Sequence, residues 1–154
     1  MSITRTKLEV QTLSAALAEV GKLPQLSADE ETPESRQNLR KFRYACGKNP
    51  RKLKDEMAGI VAEMQDFNEA REALCNEHST KDAEGEPVVI RGRYQMKNEA
   101  AFGKALDELE KAQGIPELMK EEVELDLHLI AEDCIPISLP QSLYTPLLLM
   151  VDDN

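Results

Sequence analysis

Tryptophan is absent from this 154-residue chain, and aromatic residues make up only 4% of it. Aliphatic side chains and methionine must therefore fill the interior, which suits helix packing better than an aromatic-rich β-sandwich. There are three cysteines, Cys46, Cys75 and Cys134, an odd number and widely spaced. No CxxC or Cys/His spacing of a zinc site occurs, so they read as small apolar side chains in a reducing compartment. Histidine is confined to His78 and His128. No stretch approaches the roughly 18 apolar residues of a membrane span, and the first residues lack the apolar core of a secretory signal. A soluble protein of the cytoplasm is expected. P-loop, GxGxxG, GxSxG and HExxH patterns are all missing, so the familiar sequence signs of nucleotide, acyl-transfer or zinc-protease chemistry do not occur.

What is present is charge and helical periodicity. Charged residues make up 31% and the net charge is −10, which as a whole repels phosphate. Its distribution is uneven. Arg36, Arg40, Lys41, Arg43, Lys48, Arg51, Lys52 and Lys54 follow one another with no acid among them. Downstream, Leu53, Met57, Ile60, Met64, Phe67 and Leu74 step by threes and fours, with only Arg71 interrupting. That spacing keeps one narrow apolar seam along a helix.

The elements can be placed in order. A first helix is predicted over about residues 4–20, from Val10, Leu13, Leu17 and Val20, stopped by Gly21 and Pro24. Thr32-Pro33-Glu34 reads as an N-cap, a proline at the first helical position and an acid at the positive end. A second helix follows to about Cys46. Gly47-Lys48-Asn49-Pro50 is predicted to break or kink the path, since proline disfavours helical geometry before it and lacks an amide proton. A third helix is predicted over residues 50–77. The Lys81–Pro87 segment is turn chemistry, and residues 88–96 read as a hairpin around Arg91-Gly92. Asn98 caps a helix over residues 99–112, ended by Gly114 and Pro116. Residues 121–130 alternate strictly, with Val123, Leu125, Leu127 and Leu129 on one side and Glu122, Glu124, Asp126 and His128 on the other: a strand with one wet face. Thr145-Pro146 is positioned to open a last short helix. The expected class is α+β, mainly α: a helical hairpin or bundle with a small antiparallel β element, in a single domain over residues 1–154. Within it lie an N-terminal helix (1–24), a long helical region (33–78), and a C-terminal part (81–154).

Three pieces in this order resemble a family of small phage-encoded helical proteins of unassigned function. They are the seam helix ending Phe67-Asn68-Glu69-Ala70-Arg71-Glu72-Ala73-Leu74, the Lys81-Asp82-Ala83-Glu84-Gly85-Glu86-Pro87 turn leading into Gly92-Arg93-Tyr94-Gln95-Met96, and the Glu122–Leu127 strand followed by the apolar segment through Met150. The resemblance covers about residues 33–151. It implies a phage origin and a small helical fold with a minor β element, and transfers no catalytic or binding residue. The chain departs from the family pattern at Gly47–Pro50, where the family helix continues.

Each candidate for chemistry has a structural alternative. The basic stretch, with Phe42 and Tyr44 between its cations, suits phosphate and base contact, or neutralises Glu122, Glu124 and Asp126, or simply solvates a helix. Asp82, Glu84 and Glu86 lack the remaining ligands of a calcium loop and read as a solvated turn. His128 sits among carboxylates, and His78 lies near a helix C-terminus that favours a cation. Cys75 and His78 form an i, i+3 pair without an orienting acid. No catalytic residue, metal or cofactor is assigned. The expectation is a non-enzymatic phage structural or assembly protein, either a virion component or a morphogenesis factor. It works through protein contacts with itself, as a homo-oligomer, and with other phage proteins, in the host cytoplasm or the virion. The alternatives are a host-directed regulator or anti-defence protein that binds a host protein, and a nucleic-acid-binding accessory. The seam is expected to pack within the chain against the other helices, with an additional contact between copies; the contact residues expected for a protein partner are Met57, Ile60, Met64, Phe67, Leu147, Leu148 and Met150. Those for an acidic or nucleic-acid partner are Arg36, Arg40, Lys41, Arg43, Arg51 and Lys52.

Overall fold

A capping box sets where the first helix begins. In the computed structural model, which describes residues 2–24 and 26–153, the Thr6 side chain accepts from the Glu9 amide at 3.2 Å. The Glu9 carboxylate in turn accepts from the Thr6 amide at 2.8 Å. This reciprocal pair satisfies two orphan donors and starts α1 at Lys7–Lys22. The expected start near residue 4 is therefore corrected. Ile3–Thr6 is instead a strand, β1. Its β-branched residues pair with a segment near residue 122, a partner that a local periodicity cannot reveal.

The described residues belong to α+β, mainly α, architecture. Contacts divide them into two compact units where the sequence suggested one domain. The first holds residues 1–60 and 120–154, the second residues 61–119.

In the first unit, β1 pairs antiparallel with β4 (Glu122–Leu125), in a register from Ile3 opposite Leu125 to Thr6 opposite Glu122. Lys7 carries the contact on, its amide bonding the Glu121 carbonyl and its ammonium the Glu121 carboxylate at 2.6 Å. The strand is shorter than the predicted 121–130, yet the alternation holds beyond it: Leu125 and Leu127 are buried while Glu124 and Asp126 are exposed. After a 3₁₀ turn at Glu132–Cys134 the chain forms α6 (Gln141–Leu147) and a second 3₁₀ turn at Leu148–Met150. α6 packs on α1, and Ile130 bridges to Val151 in parallel. α6 starts after Pro140 and carries Pro146 inside it, so Thr145-Pro146 does not open the helix as predicted. The core combines Val10, Leu13 and Leu17 with Phe42, Leu53, Ile135, Leu147 and Met150, all nearly or fully buried.

The long helix α2 spans Pro33–Glu63, opened by Thr32, whose hydroxyl accepts from the Ser35 amide at 3.1 Å. It runs through Gly47–Pro50 without a break. A proline inside a helix removes one backbone hydrogen bond and crowds the preceding turn, at about 3 kcal/mol. Here the same turn is tied down by its neighbour. Asn49, fully buried, donates to the His128 carbonyl at 3.0 Å and accepts from the His128 amide at 2.8 Å. One side-chain amide thus takes the place of a strand partner for the segment just beyond β4.

The interruption falls later than predicted. Met64, with φ −93° and ψ 1°, separates α2 from α3 (Gln65–His78).

The second unit contains α3, β2 (Val89–Ile90), β3 (Arg93–Tyr94), α4 (Glu99–Ala112) and α5 (Ile115–Lys120). α3 packs against α4. The β2–β3 hairpin closes through Arg91 (φ 53°) and Gly92 (φ 76°). Two consecutive positive φ angles make a type I′ turn, the form that matches strand twist. Thr80 adds to the hairpin through Gln95 and Val88. Asn98 caps α4, accepting from the Ala101 amide at 3.1 Å. Gly114 (φ 65°) ends α4 as predicted, but Pro116 does not stop the path: it sits in the first turn of α5, where its missing amide costs nothing.

Candidate interaction surfaces

The seam and tail assigned to a partner mostly turn inward. Ile60 is 1% exposed, Phe67 4%, and Leu147 and Met150 are at 0%. In the folded chain these four are core residues, which agrees with packing of the seam inside the chain and leaves them no exposed surface to offer a partner. The tail has little freedom to do otherwise, since Arg5 Nε donates to the Leu149 carbonyl at 3.1 Å and holds it against the sheet. Met57, Met64 and Leu148 are half-buried. Arg71, the interruption in the seam, is exposed.

The large apolar side chains that do face outward are others: Leu8, Tyr44, Val61, Val89, Ile90 and Ile137. The first is a surface position of α1, and Val89 and Ile90 are the hairpin strand. Sequence reasoning missed Ile137 because Pro-punctuated loops have no periodicity from which a face can be read.

The basic stretch forms a single outward face of α2. Leu39, Phe42, Ala45, Asn49 and Leu53 are buried, and Arg40, Arg43, Tyr44, Lys48, Arg51 and Lys54 are exposed. At about 100° per residue these two sets lie on opposite sides of the helix. Because the helix is unbroken, the cations before and after Pro50 share one side. Three of the expected contact residues are engaged within the chain: Arg36 with Glu31 at 2.7 Å, Arg43 with the Leu26 carbonyl at 2.6 Å, and Lys52 with Asp126 at 3.0 Å. The hydrogen bond and charge of Lys52 hold the Asp126 carboxyl below its ordinary range. This is the only pairing between the basic stretch and the strand's acidic side among the described residues. Glu124 instead accepts from the Ser2 hydroxyl.

A second surface of the same unit is acidic. Asp29, Glu132, Asp133, Asp152 and Asp153 line a concavity of about 820 Å³ together with Ile137 and Tyr144. Asp29 accepts from the Ile137 amide at 3.1 Å, fixing the loop that presents this 76%-exposed side chain. The Tyr144 hydroxyl donates to Glu132 at 3.3 Å. Desolvation, then the charges of Glu132 and Asp29, push the Tyr144 phenol up. These carboxylates come from segments far apart in sequence, so no spacing rule could gather them.

The histidines do not meet. His128 lies edge-on to Tyr44, ring centres 4.9 Å apart, with the Lys48 ammonium 5.5 Å from the Tyr44 centroid. In the second unit His78 turns to Phe102, 5.9 Å away, beside a cleft of about 660 Å³ lined by Arg71, Glu72, Cys75, Tyr94, Phe102 and Leu106. The Cys75–His78 pair read from the sequence is therefore not hydrogen-bonded, the His78 ring being used against Phe102. Burial raises the Cys46 thiol to about 12. Cys134 is raised too, by desolvation first and by Asp133 second, and its thiol lies 3.7 Å from the Asn38 side-chain oxygen. Neither thiol is a ready nucleophile near neutral pH. No helix among the described residues is long and apolar enough to cross a membrane.

No family model, no curated protein and no solved structure matches the chain.

Proposed function

We propose that the protein is a non-enzymatic phage structural or assembly factor that works through macromolecular contacts, in the virion or in its morphogenesis. The observation that carries this reading is the polarised surface of the first unit. A basic helical face and an acidic concavity lie on one small unit, each with an exposed apolar or aromatic residue, Tyr44 on one and Ile137 on the other. Opposed charge around an apolar contact point is how interfaces gain register and speed of encounter. The family resemblance supplies the phage setting. Mass spectrometry of purified particles and of assembly intermediates from the encoding phage tests it. Recovery at stoichiometric level supports the reading, and absence from both defeats it.

A second reading is favoured by the acidic concavity alone: a host-directed regulator that occupies a basic groove of a host protein. Affinity capture from infected cells separates the two. A basic host protein lost on charge reversal of Asp133 and Asp152 supports the second reading; phage structural proteins alone support the first.

A further inference from the structure

We propose that the outward face of α2 is a docking surface for the phosphate backbone of a nucleic acid, held by Arg40, Arg51 and Lys54 with Lys48 and Tyr44 between them. This goes beyond the assembly reading and does not depend on it. The sequence offered two competing explanations for these cations, a solvated helix face, which the binding test below decides, and neutralisation of the acidic strand. In the structure neutralisation accounts for Lys52 alone, through Asp126. Among the described residues Arg40, Arg51 and Lys54 have no carboxylate within ion-pairing distance.

The arrangement is linear and convex. From Arg40 to Lys54 the helix rises about 21 Å, and a duplex presents one phosphate charge per ~1.7 Å of its axis. Gly47 lies in line with the cations, and a Cβ there would meet nothing within 4 Å. The middle of the ridge is thus open to close approach by another backbone. Asp55 is the only acid on this side, at its C-terminal end. Tyr44 is 54% exposed and steadied by the His128 ring, which adds a flat apolar surface of the kind bases rest on. An apolar hollow of about 420 Å³, lined by Leu17, Val20, Leu23 and Phe42, borders the ridge at Arg43 and Gly47, but the unpaired cations Arg40, Arg51 and Lys54 are spread along the whole ridge, and such a row fits a regularly charged polymer.

The test is fluorescence anisotropy with the full chain and labelled 20-nucleotide single-stranded DNA, the matching 20-base-pair duplex and a 20-nucleotide RNA, at 50 and 200 mM salt. Labelled polyglutamate of equal charge is the acidic polypeptide arm. About four phosphate contacts give a roughly 100-fold loss of affinity across that salt range. The expected result is binding of at least one nucleic acid with that loss, abolished in Arg40→Glu/Arg51→Glu and unchanged in Lys111→Glu, a reversal on α4. Both substituted arginines are exposed, and Arg40→Gln/Arg51→Gln, expected to give intermediate binding, guards against a folding defect, as does an unchanged melting curve. No binding at 50 mM overturns the proposal. So does binding that survives Arg40→Glu/Arg51→Glu, or polyglutamate bound as tightly as any nucleic acid.

Discussion

Replacing Asn49 is expected to destabilise the first unit more than any surface change, because its amide is the only tie between mid-α2 and the backbone at His128 among the hydrogen bonds described. Asn49→Ala leaves the His128 amide and carbonyl without their partner. An orphaned buried group costs about 1–3 kcal/mol, and His128 is half-buried, so the lower end applies to each of the two. Removing the side chain from a fully buried position adds a small cavity, about 1 kcal/mol. The expected loss is about 3 kcal/mol. Urea unfolding followed by circular dichroism reads it as a lower midpoint at unchanged slope, and a slope of about 1–3 kcal/mol/M places the shift at about 1–3 M. Asn49→Leu refills the volume without restoring either hydrogen bond, so it is expected to recover only the cavity share. Asn49→Asp separates donor from acceptor. Its ionised carboxylate still accepts from the His128 amide but faces the His128 carbonyl with no proton to give. Protonation restores a donor, so this variant is expected to gain stability as pH falls toward 5, opposite to most buried carboxylate pairs. A loss under 0.5 kcal/mol for Asn49→Ala, or full recovery by Asn49→Leu, refutes the argument that these two hydrogen bonds hold the helix through Pro50.

Three further outcomes are expected. The Cys46 thiol is raised from 9.0 to about 12 by burial, so the unfolded chain loses this proton first; stability is complete below pH 9 and declines from pH 9 toward 12. Cys46→Ala is expected to flatten that decline in denaturant titrations at stepped pH. Thr6→Ala removes the hydroxyl half of the capping box on α1 and is expected to cost about 1 kcal/mol, measured as a lower melting temperature. Arg91 holds φ 53° in the hairpin turn, and Arg91→Gly is expected to stabilise the second unit slightly, by under ~1 kcal/mol, with slower exchange of the Gln95 amide, which bonds the Val88 carbonyl across the hairpin.

Local rules carried the parts of the fold whose causes are local. Asn98 and Thr32 were legible as caps because a cap needs only a side-chain oxygen three residues ahead of an amide. The inward side of residues 123–127 was legible from alternation. The same rules failed where a distant partner decided the outcome. Pro50 reads as a breaker until Asn49 is seen bonded to a residue 79 positions away, although the buried series Leu39, Phe42, Asn49 and Leu53 already steps by threes, fours and sevens. Residues 4–6 of β1 joined the predicted helix because nothing nearby announces β4. For the candidate surfaces, the basic face was legible as a run of cations, but only an unbroken helix puts them on one side. The acidic concavity was not legible at all, being assembled from Asp29, the 132–133 turn and residues 152–153. The apolar run Leu147–Met150 was visible as an oddity, and its two inward residues are the ends of the run, one helical turn apart.

The β1–β4 pairing has a consequence for biogenesis. Lys7 and Glu121 are 114 residues apart, and everything in the second unit is translated between them. At ribosomal speeds of about 5–20 residues per second, β1 waits roughly 6–23 s for its partner strand, and the side of α1 that meets α6 waits longer still. During that wait α3, the hairpin and α4 are free to form from short-range contacts, whereas closure of the first unit has to draw in a very long loop. Closure of the first unit is thus set by the emergence of β4 and α6.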